Sequence, residues 1–229
     1  MTTPQLAADS ITLSLGGRSI LRAAYVDALA GRITALVGRS GAGKTTLFEV
    51  IVGRRRGAAG HVRWNGEIVK RPSLPRLARR GLFYHPDHPW LAPHLSAADH
   101  FALLARRDAW RDVADALGVM AWIDRDVGRL SGGELRLTEL AIGIALRPTV
   151  ALLDEPFRGL EPRHREDVAT ALRLLADQGS AVLFADHDVE RVRQVTDRLF
   201  SLEEGTSRMV DGFRERPVWE WYHEWAEHR

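Results

Sequence analysis

The sequence predicts an α/β fold in which a mainly parallel sheet is flanked by helices, and three observations predict it. The apolar run Ile33 to Val37 passes through a glycine-rich turn into a helical stretch, Leu47 to Val52. Two more short apolar runs, Val150 to Leu153 and Ala181 to Phe184, read as buried strands, and each ends in polar residues: Asp154-Glu155 and Asp186-His187-Asp188. The chain has 229 residues, 45% hydrophobic and 27% charged, which suits one well-packed globular domain with room for a subdomain.

The remaining elements follow in chain order. Ser10 to Leu15 alternates polar and apolar residues, Gly16-Gly17 closes it as a hairpin, and a second strand runs from Leu21 to Val26. Leu29-Ala30-Gly31 turns into the central strand. Beyond the first helix, Arg54-Arg55-Arg56-Gly57-Ala58-Ala59-Gly60 is a basic loop, open to two readings: a solvated surface, or a contact with phosphate or anionic lipid. His61 to Trp64, Asn65-Gly66 and Glu67 to Val69 form a second hairpin, and Leu82 to Tyr84 is another short strand. One helix is predicted from Ser96 to about Leu117, with Ser96 as N-cap and Asp99 at the third helical position. A further helix opens at Leu130-Ser131-Gly132-Gly133-Glu134 and runs to about Leu146, where Pro148 stops it.

Composition excludes several classes. The formal net charge of +2 argues against strong nucleic-acid binding, although the pI of about 9.4 is more basic than that balance suggests. Without cysteine there is no disulfide framework and no thiolate chemistry. Met1-Thr2-Thr3-Pro4 opens no signal peptide, and no run approaches the ~20 apolar residues of a membrane span, so a membrane role requires a partner. His85, His88, His94 and His100 raise the question of a metal site. Intervening prolines and the lack of a His pair at helical spacing favour surface and loop histidines.

The chemistry concentrates in Gly38-Arg39-Ser40-Gly41-Ala42-Gly43-Lys44-Thr45-Thr46, a G-x-x-x-x-G-K-T phosphate loop in its strand-loop-helix setting. Its glycines let successive backbone N–H groups point at phosphate oxygens, with the helix N-terminus behind them. Lys44 then reaches the β- and γ-phosphates, and the Thr45 hydroxyl takes Mg²⁺. Lysine occurs only at positions 44 and 70, so its presence inside the loop carries weight. Ser131, Gly132 and Gly133 at a helix start form a second set of anion donors. Asp154-Glu155 at a strand end suits a metal-holding carboxylate followed by one that orients or deprotonates water. His187 sits where α/β sheets place ligand contacts.

In this order the motifs resemble the ATP-binding-cassette ATPases over roughly Ile11 to Asp211. The matches are the phosphate loop, a loop near Tyr84 to Pro89, the signature Leu130 to Glu134, Asp154-Glu155 and a switch histidine, His187. The resemblance implies a P-loop NTPase core with a mainly parallel sheet, an N-terminal antiparallel β-subdomain and a helical signature subdomain. Residues 1–229 then form a single domain: about 1–85 and 148–212 the core with its β-subdomain, about 86–147 the helical subdomain, and about 213–229 an aromatic tail. It also implies ATP and Mg²⁺ as ligands, and a head-to-tail dimer, homo- or heterodimeric. In it Ser131, Gly132 and Gly133 contact the γ-phosphate held by the other copy, Glu155 positions water, His187 holds the γ-phosphate, and Asp154 with Thr45 holds Mg²⁺.

Three positions depart from the family. Leu15 stands where an adenine-stacking aromatic is usual and keeps apolar contact without a π-face. Asp87 aligns with a metal-sensing glutamine, where an added carboxylate repels a triphosphate unless it faces the metal, so it joins the nucleotide and metal candidates. Glu161 replaces an aspartate. In the helical subdomain Phe101, Leu103 and Leu104 are expected to pack inward, and Trp90 and Trp110 are core residues or part of a docking groove. In the tail, Trp221 and Trp225 share one helical face, for the chain's own surface or for a partner. The favoured function is the ATPase subunit of a membrane transporter, peripheral on the cytoplasmic face of the membrane beside separate membrane-spanning subunits. The alternatives are a soluble ATPase of the same family and a weakly hydrolysing regulatory module.

Overall fold

A computed structural model describes residues 3–105 and 110–214, so the expectations for the tail, Trp221 and Trp225 included, lie outside the described residues. The strands are β1 (Leu6–Leu15), β2 (Arg18–Ala28), β3 (Ile33–Val37), β4 (Ala59–Trp64), β5 (Glu67–Ile68), β6 (Leu82–His85), β7 (Val150–Asp154), β8 (Ala181–Asp186), β9 (Arg198–Glu203) and β10 (Thr206–Met209). The α-helices are α1 (Lys44–Ile51), α2 (Leu74–Arg79), α3 (Ala97–Leu104), α4 (Trp110–Ala116), α5 (Gly132–Ala145), α6 (Pro162–Asp177) and α7 (Val189–Val195).

Two sheets result. An antiparallel sheet runs β2-β1-β4-β5, and a six-stranded sheet runs β10-β9-β3-β8-β7-β6. In the larger sheet β9, β3, β8, β7 and β6 are parallel, and β10 is an antiparallel edge. Every residue of β3, β7 and β8 is buried, as befits parallel strands covered on both faces. Successive side chains alternate between two cores. Ala151, Leu153, Val182 and Phe184 face the layer that contains α5 and α6, whereas Leu152, Leu183 and Ala185 face α1 and the antiparallel sheet. The predicted α/β class and its mainly parallel sheet are thus present.

The helix predicted from Ser96 to Leu117 is two helices. Ser96 does cap α3, accepting from the Asp99 amide at 3.0 Å, but the helix ends at Ala105, whose backbone is extended. Phe101 and Trp110 stack with ring centroids 4.7 Å apart. On one straight helix nine residues apart they would be separated by about 13.5 Å along the axis. The break is what brings them together. Of the three residues expected to pack inward, Phe101 is buried, whereas Leu103 is 71% exposed and Leu104 is 37% exposed. Trp110 is in the core and Trp90 packs edge-on against Phe83.

Candidate nucleotide site

Topology gathers the polar strand ends. Because β3, β8, β7 and β6 are consecutive parallel neighbours, their carboxyl ends share one edge of the sheet. The register pairs Val37 with Asp186, Ala185 with Asp154, and Leu153 with His85. The phosphate loop, His187, Glu155 and Asp87 therefore leave the sheet side by side, where open α/β sheets bind ligands.

At the start of α1, Lys44 is buried and its Nζ donates to the Gly38 carbonyl at 2.6 Å and the Arg39 carbonyl at 3.1 Å. Burial lowers its pKa, while the charges of Glu155, Asp154 and Asp186 oppose that shift. Asp154 is fully buried, and burial pushes its carboxyl up to about 6. The Thr45 hydroxyl lies near enough to act in the opposite direction. Even so, neither Asp154 oxygen meets a hydrogen-bond partner among the described residues. A buried, unpartnered carboxylate beside a hydroxyl fits a hard cation that takes few protein ligands and keeps waters, as Mg²⁺ does.

Glu155 follows with a left-handed backbone, φ +48°, which costs a non-glycine residue about 1–2 kcal/mol. Its amide donates to Ala185 O at 2.9 Å, which ties it to β8. Its carboxylate lies 3.7 Å from His187 Nδ1 and 3.6 Å from Arg158 Nη1. Arg158 also reaches the Asp87 carboxylate at 3.3 Å. Arg158 thus pairs with Asp87, whose charge is among those that raise Asp154. Glu161 precedes α6 and pairs with Arg163 in solvent at 3.2 Å.

Ser131 caps α5, accepting from the Glu134 amide at 3.3 Å while its own amide donates to Glu134 at 2.8 Å. A side chain at Gly133 could not be placed: a Cβ there would fall 2.2 Å from the His164 ring. Ser131 and Gly132 are exposed. Among the described residues no hydrogen bond or ion pair joins them to the phosphate loop, and the cleft beside that loop is not lined by them.

Beside Arg39 to Ala42 lies a cleft of about 510 Å³, lined also by Arg18 and Arg22. Leu15 is not among its lining residues, but Arg18, its partner across the hairpin, is. Arg18 was invisible to motif reading because only the fold brings the hairpin to the loop. Its guanidinium can stack on a purine as an aromatic does. Arg18→Ala is expected to weaken ATP binding by about fivefold, on the scale of one exposed cation–π contact, with Arg18→Lys recovering only part. Equilibrium titration with a fluorescent ATP analogue measures it, and an unchanged Kd would remove Arg18 from the site.

His88 and His94 are exposed loop residues, as expected, whereas His85 and His100 are not. His85 and His100 are buried, and no group of three or more metal-ligating side chains occurs among the described residues. His100 Nδ1 contacts Ser96 O at 2.8 Å, and its Nε2 accepts from the Ala92 amide at 3.0 Å. His85 contacts Glu139 through Nε2 at 3.0 Å, with Arg136 against its ring. Burial lowers the pKa of His85 and of Arg136.

Known proteins resemble this chain in sequence and in fold. The ABC transporter family profile matches residues 21–158. The zinc import ATP-binding protein ZnuC of Halorhodospira halophila is 35% identical over 207 residues, covering 88% of this chain and 75% of that protein. The lipopolysaccharide export system ATP-binding protein LptB of Acidithiobacillus ferridurans is 32% identical over 209 residues, 87% of each. A solved ATP-binding subunit of an ABC transporter superposes with a TM-score of 0.83 at 21% identity, over 97% of this chain and 99% of that one, a likeness of fold.

Proposed function

The chain belongs to the ABC transporter ATP-binding family, and from that premise we propose that it is the ATP-hydrolysing subunit of a membrane transporter, acting as a sandwich dimer. The observation that carries this reading is an incomplete site. Lys44, Thr45, Asp154, Glu155 and His187 converge at one sheet edge, while the exposed donors Ser131 and Gly132 stand apart from it. A second copy, placed head to tail, supplies them.

In that arrangement the phosphate-loop amides and Lys44 would bind the triphosphate, and Thr45 and Asp154 would hold Mg²⁺, which would supply positive charge to offset that of the phosphates. Glu155 orients the attacking water and accepts its proton, and His187 donates to the γ-phosphate. The Ser131 oxygen is the acceptor in the α5 cap, and the exposed residue would present its hydroxyl to the other copy's γ-phosphate. Catalysis rests on positioning and charge, so one copy alone lacks part of it.

No helix among the described residues is long and apolar enough to cross a membrane. In the proposed assembly separate subunits span the membrane, and this chain sits at its cytoplasmic face. The exposed Leu103, Leu104 and Met120 offer apolar surface for them. ZnuC is named for import and LptB for export, so the machinery shared with them is the nucleotide engine and not the direction of transport.

Complementation tests the composite site. Lys44→Ala and Ser131→Arg are each expected to abolish ATPase activity alone. Mixed, they form a heterodimer with one intact site, because the phosphate loop of one copy meets the signature of the other. Activity that returns on mixing is the expected result, and none at saturating ATP and high protein concentration would count against the sandwich.

A further inference from the structure

A second cleft, of about 650 Å³, lies between the loop 53–61 and the segment 69–76. It is separate from the nucleotide site. The phosphate loop precedes α1, whereas this cleft begins at its other end, with Val50 and Gly53 in its lining. The eight residues of α1 separate the two by about 12 Å. The volume falls within the range of small-molecule sites.

Its polar lining is cationic. Arg55 and Arg56 come from one wall, and Lys70, Arg71 and Arg76 from the other, with His61 between them. Arg55 is neutralised by Glu49 at 2.6 Å. Arg56, Lys70, Arg71 and Arg76 have no ion-pair partner among the described residues. Four unpaired cations in one groove contrast with a net charge of +2 for the whole chain. The carboxyl end of α1 accounts for a cation at Arg55, since helix C-termini favour positive charge. It does not account for Lys70, Arg71 and Arg76 on the opposite wall. Left alone, such a cluster repels itself, and a groove with low-dielectric walls concentrates its field.

The groove is held open by backbone contacts and does not depend on the long side chains. Gly53 has φ +72°, and a Cβ there would lie 1.9 Å from the Pro72 carbonyl, so the two walls touch at the base through main chain alone. Gly60 has φ +94°, and its Cβ would lie 2.4 Å from the Ser10 carbonyl, which pins the far end of the loop to β1. The Arg54 and Arg55 amides both donate to Glu49 O, at 2.8 and 3.1 Å, and fix the near end. Ile11, Val50, Val62 and Ile68 give the cleft an apolar side. Clustered cations on a fixed backbone groove with an apolar side match a phosphate group attached to a less polar body.

We propose that this cleft is a second anion site, which binds a phosphate-bearing ligand independently of the nucleotide. The phosphate belongs either to a soluble phosphorylated compound or to a lipid headgroup, and the shared chemistry is a phosphate clasped by Arg56, Lys70, Arg71 and Arg76.

The test uses the full-length protein with Lys44→Ala, which silences the phosphate loop. One arm titrates inorganic pyrophosphate by calorimetry, and the other co-sediments the protein with phosphatidylcholine vesicles with and without phosphatidylglycerol. Both are repeated with Arg56→Ser, Lys70→Gln, Arg71→Gln and Arg76→Gln combined, four exposed substitutions whose folding is checked by circular dichroism. Binding that falls by about tenfold or more in the fourfold variant is expected, given the strength of charge-assisted hydrogen bonds, and it weakens with added salt. Pyrophosphate binding identifies a soluble ligand, and binding only to vesicles with phosphatidylglycerol identifies a headgroup. No binding of either probe, or binding that the fourfold variant leaves unchanged, overturns the proposal. ATP affinity in the fourfold variant with Lys44 restored is expected to be that of the parent. A loss of ATP affinity there would show that the two clefts are one site.

Discussion

Glu155→Gln is expected to lower kcat for ATP hydrolysis by about 10²–10⁴-fold, the usual contribution of a positioned general base, while ATP still binds with nearly its original affinity. The substitution keeps the shape of a side chain whose backbone is tied to Ala185 and whose carboxylate sits between His187 and Arg158. It removes the charge that takes the proton from water. Affinity comes from different groups, the phosphate-loop amides and Lys44, so kcat and Kd should separate. Steady-state Mg²⁺-ATPase assays with parallel equilibrium binding make the distinction. If turnover is stopped after binding, ATP should also accumulate the dimer on size-exclusion chromatography. A variant with undiminished turnover would show that another group activates the water, and Asp186, buried one strand away, would be the next to test.

Much of this machinery is legible in the sequence because each part is local. A buried strand needs a run of apolar residues, a phosphate loop needs glycines and a lysine at fixed spacing, and both are written in adjacent positions from Ile33 to Thr46. The strand Val150 to Leu153 and the acids after it are legible for the same reason. What escapes is what the fold assembles at a distance. Arg158 matters because it bridges Glu155, three residues away, and Asp87, on another strand's loop. Arg18 matters because a hairpin end meets the phosphate loop. The α3–α4 break escapes because apolar spacing continues across it, and it shows in the extended backbone of Ala105 and the stacking of Phe101 on Trp110. The sequence reading assigned nothing to α6, although it carries its own signals. Pro162 stands at its first turn, and Val168, Ala171, Leu172, Leu175 and Ala176 recur at helical spacing and are all buried.

The buried network on α5 escapes for a further reason: polar residues inside an otherwise apolar helix look like surface residues. Residues 136–144 are all buried, so Arg136, Thr138 and Glu139 must find partners in the protein. Thr138 does so by accepting from Trp122 Nε1 at 3.0 Å. Glu139 accepts from the Trp90 amide at 3.0 Å and contacts His85 Nε2 at 3.0 Å, while Arg136 reaches the Pro86 carbonyl at 3.3 Å. Arg136 Nη1 lies 3.0 and 3.2 Å from the two ring nitrogens of His85, so it sits against the ring face and leaves Nε2 to Glu139. This cluster ties the loop that carries Asp87 to the helix that begins at the signature.

Removing one member strands the others. Glu139→Ala is expected to destabilise the protein by about 3–5 kcal/mol, because it removes the largest of the opposing charges around the buried Arg136 guanidinium and takes the acceptor from the Trp90 amide. Replacing all three together, His85→Leu, Arg136→Met and Glu139→Leu, should cost far less, since no buried charge remains and apolar residues of similar volume can fill the space. What remains is the unpaired Trp90 amide, worth about 1–3 kcal/mol. Urea unfolding of the two variants beside the parent decides the matter. A triple variant as unstable as Glu139→Ala would mean that packing, and not charge pairing, holds the Asp87 loop to α5.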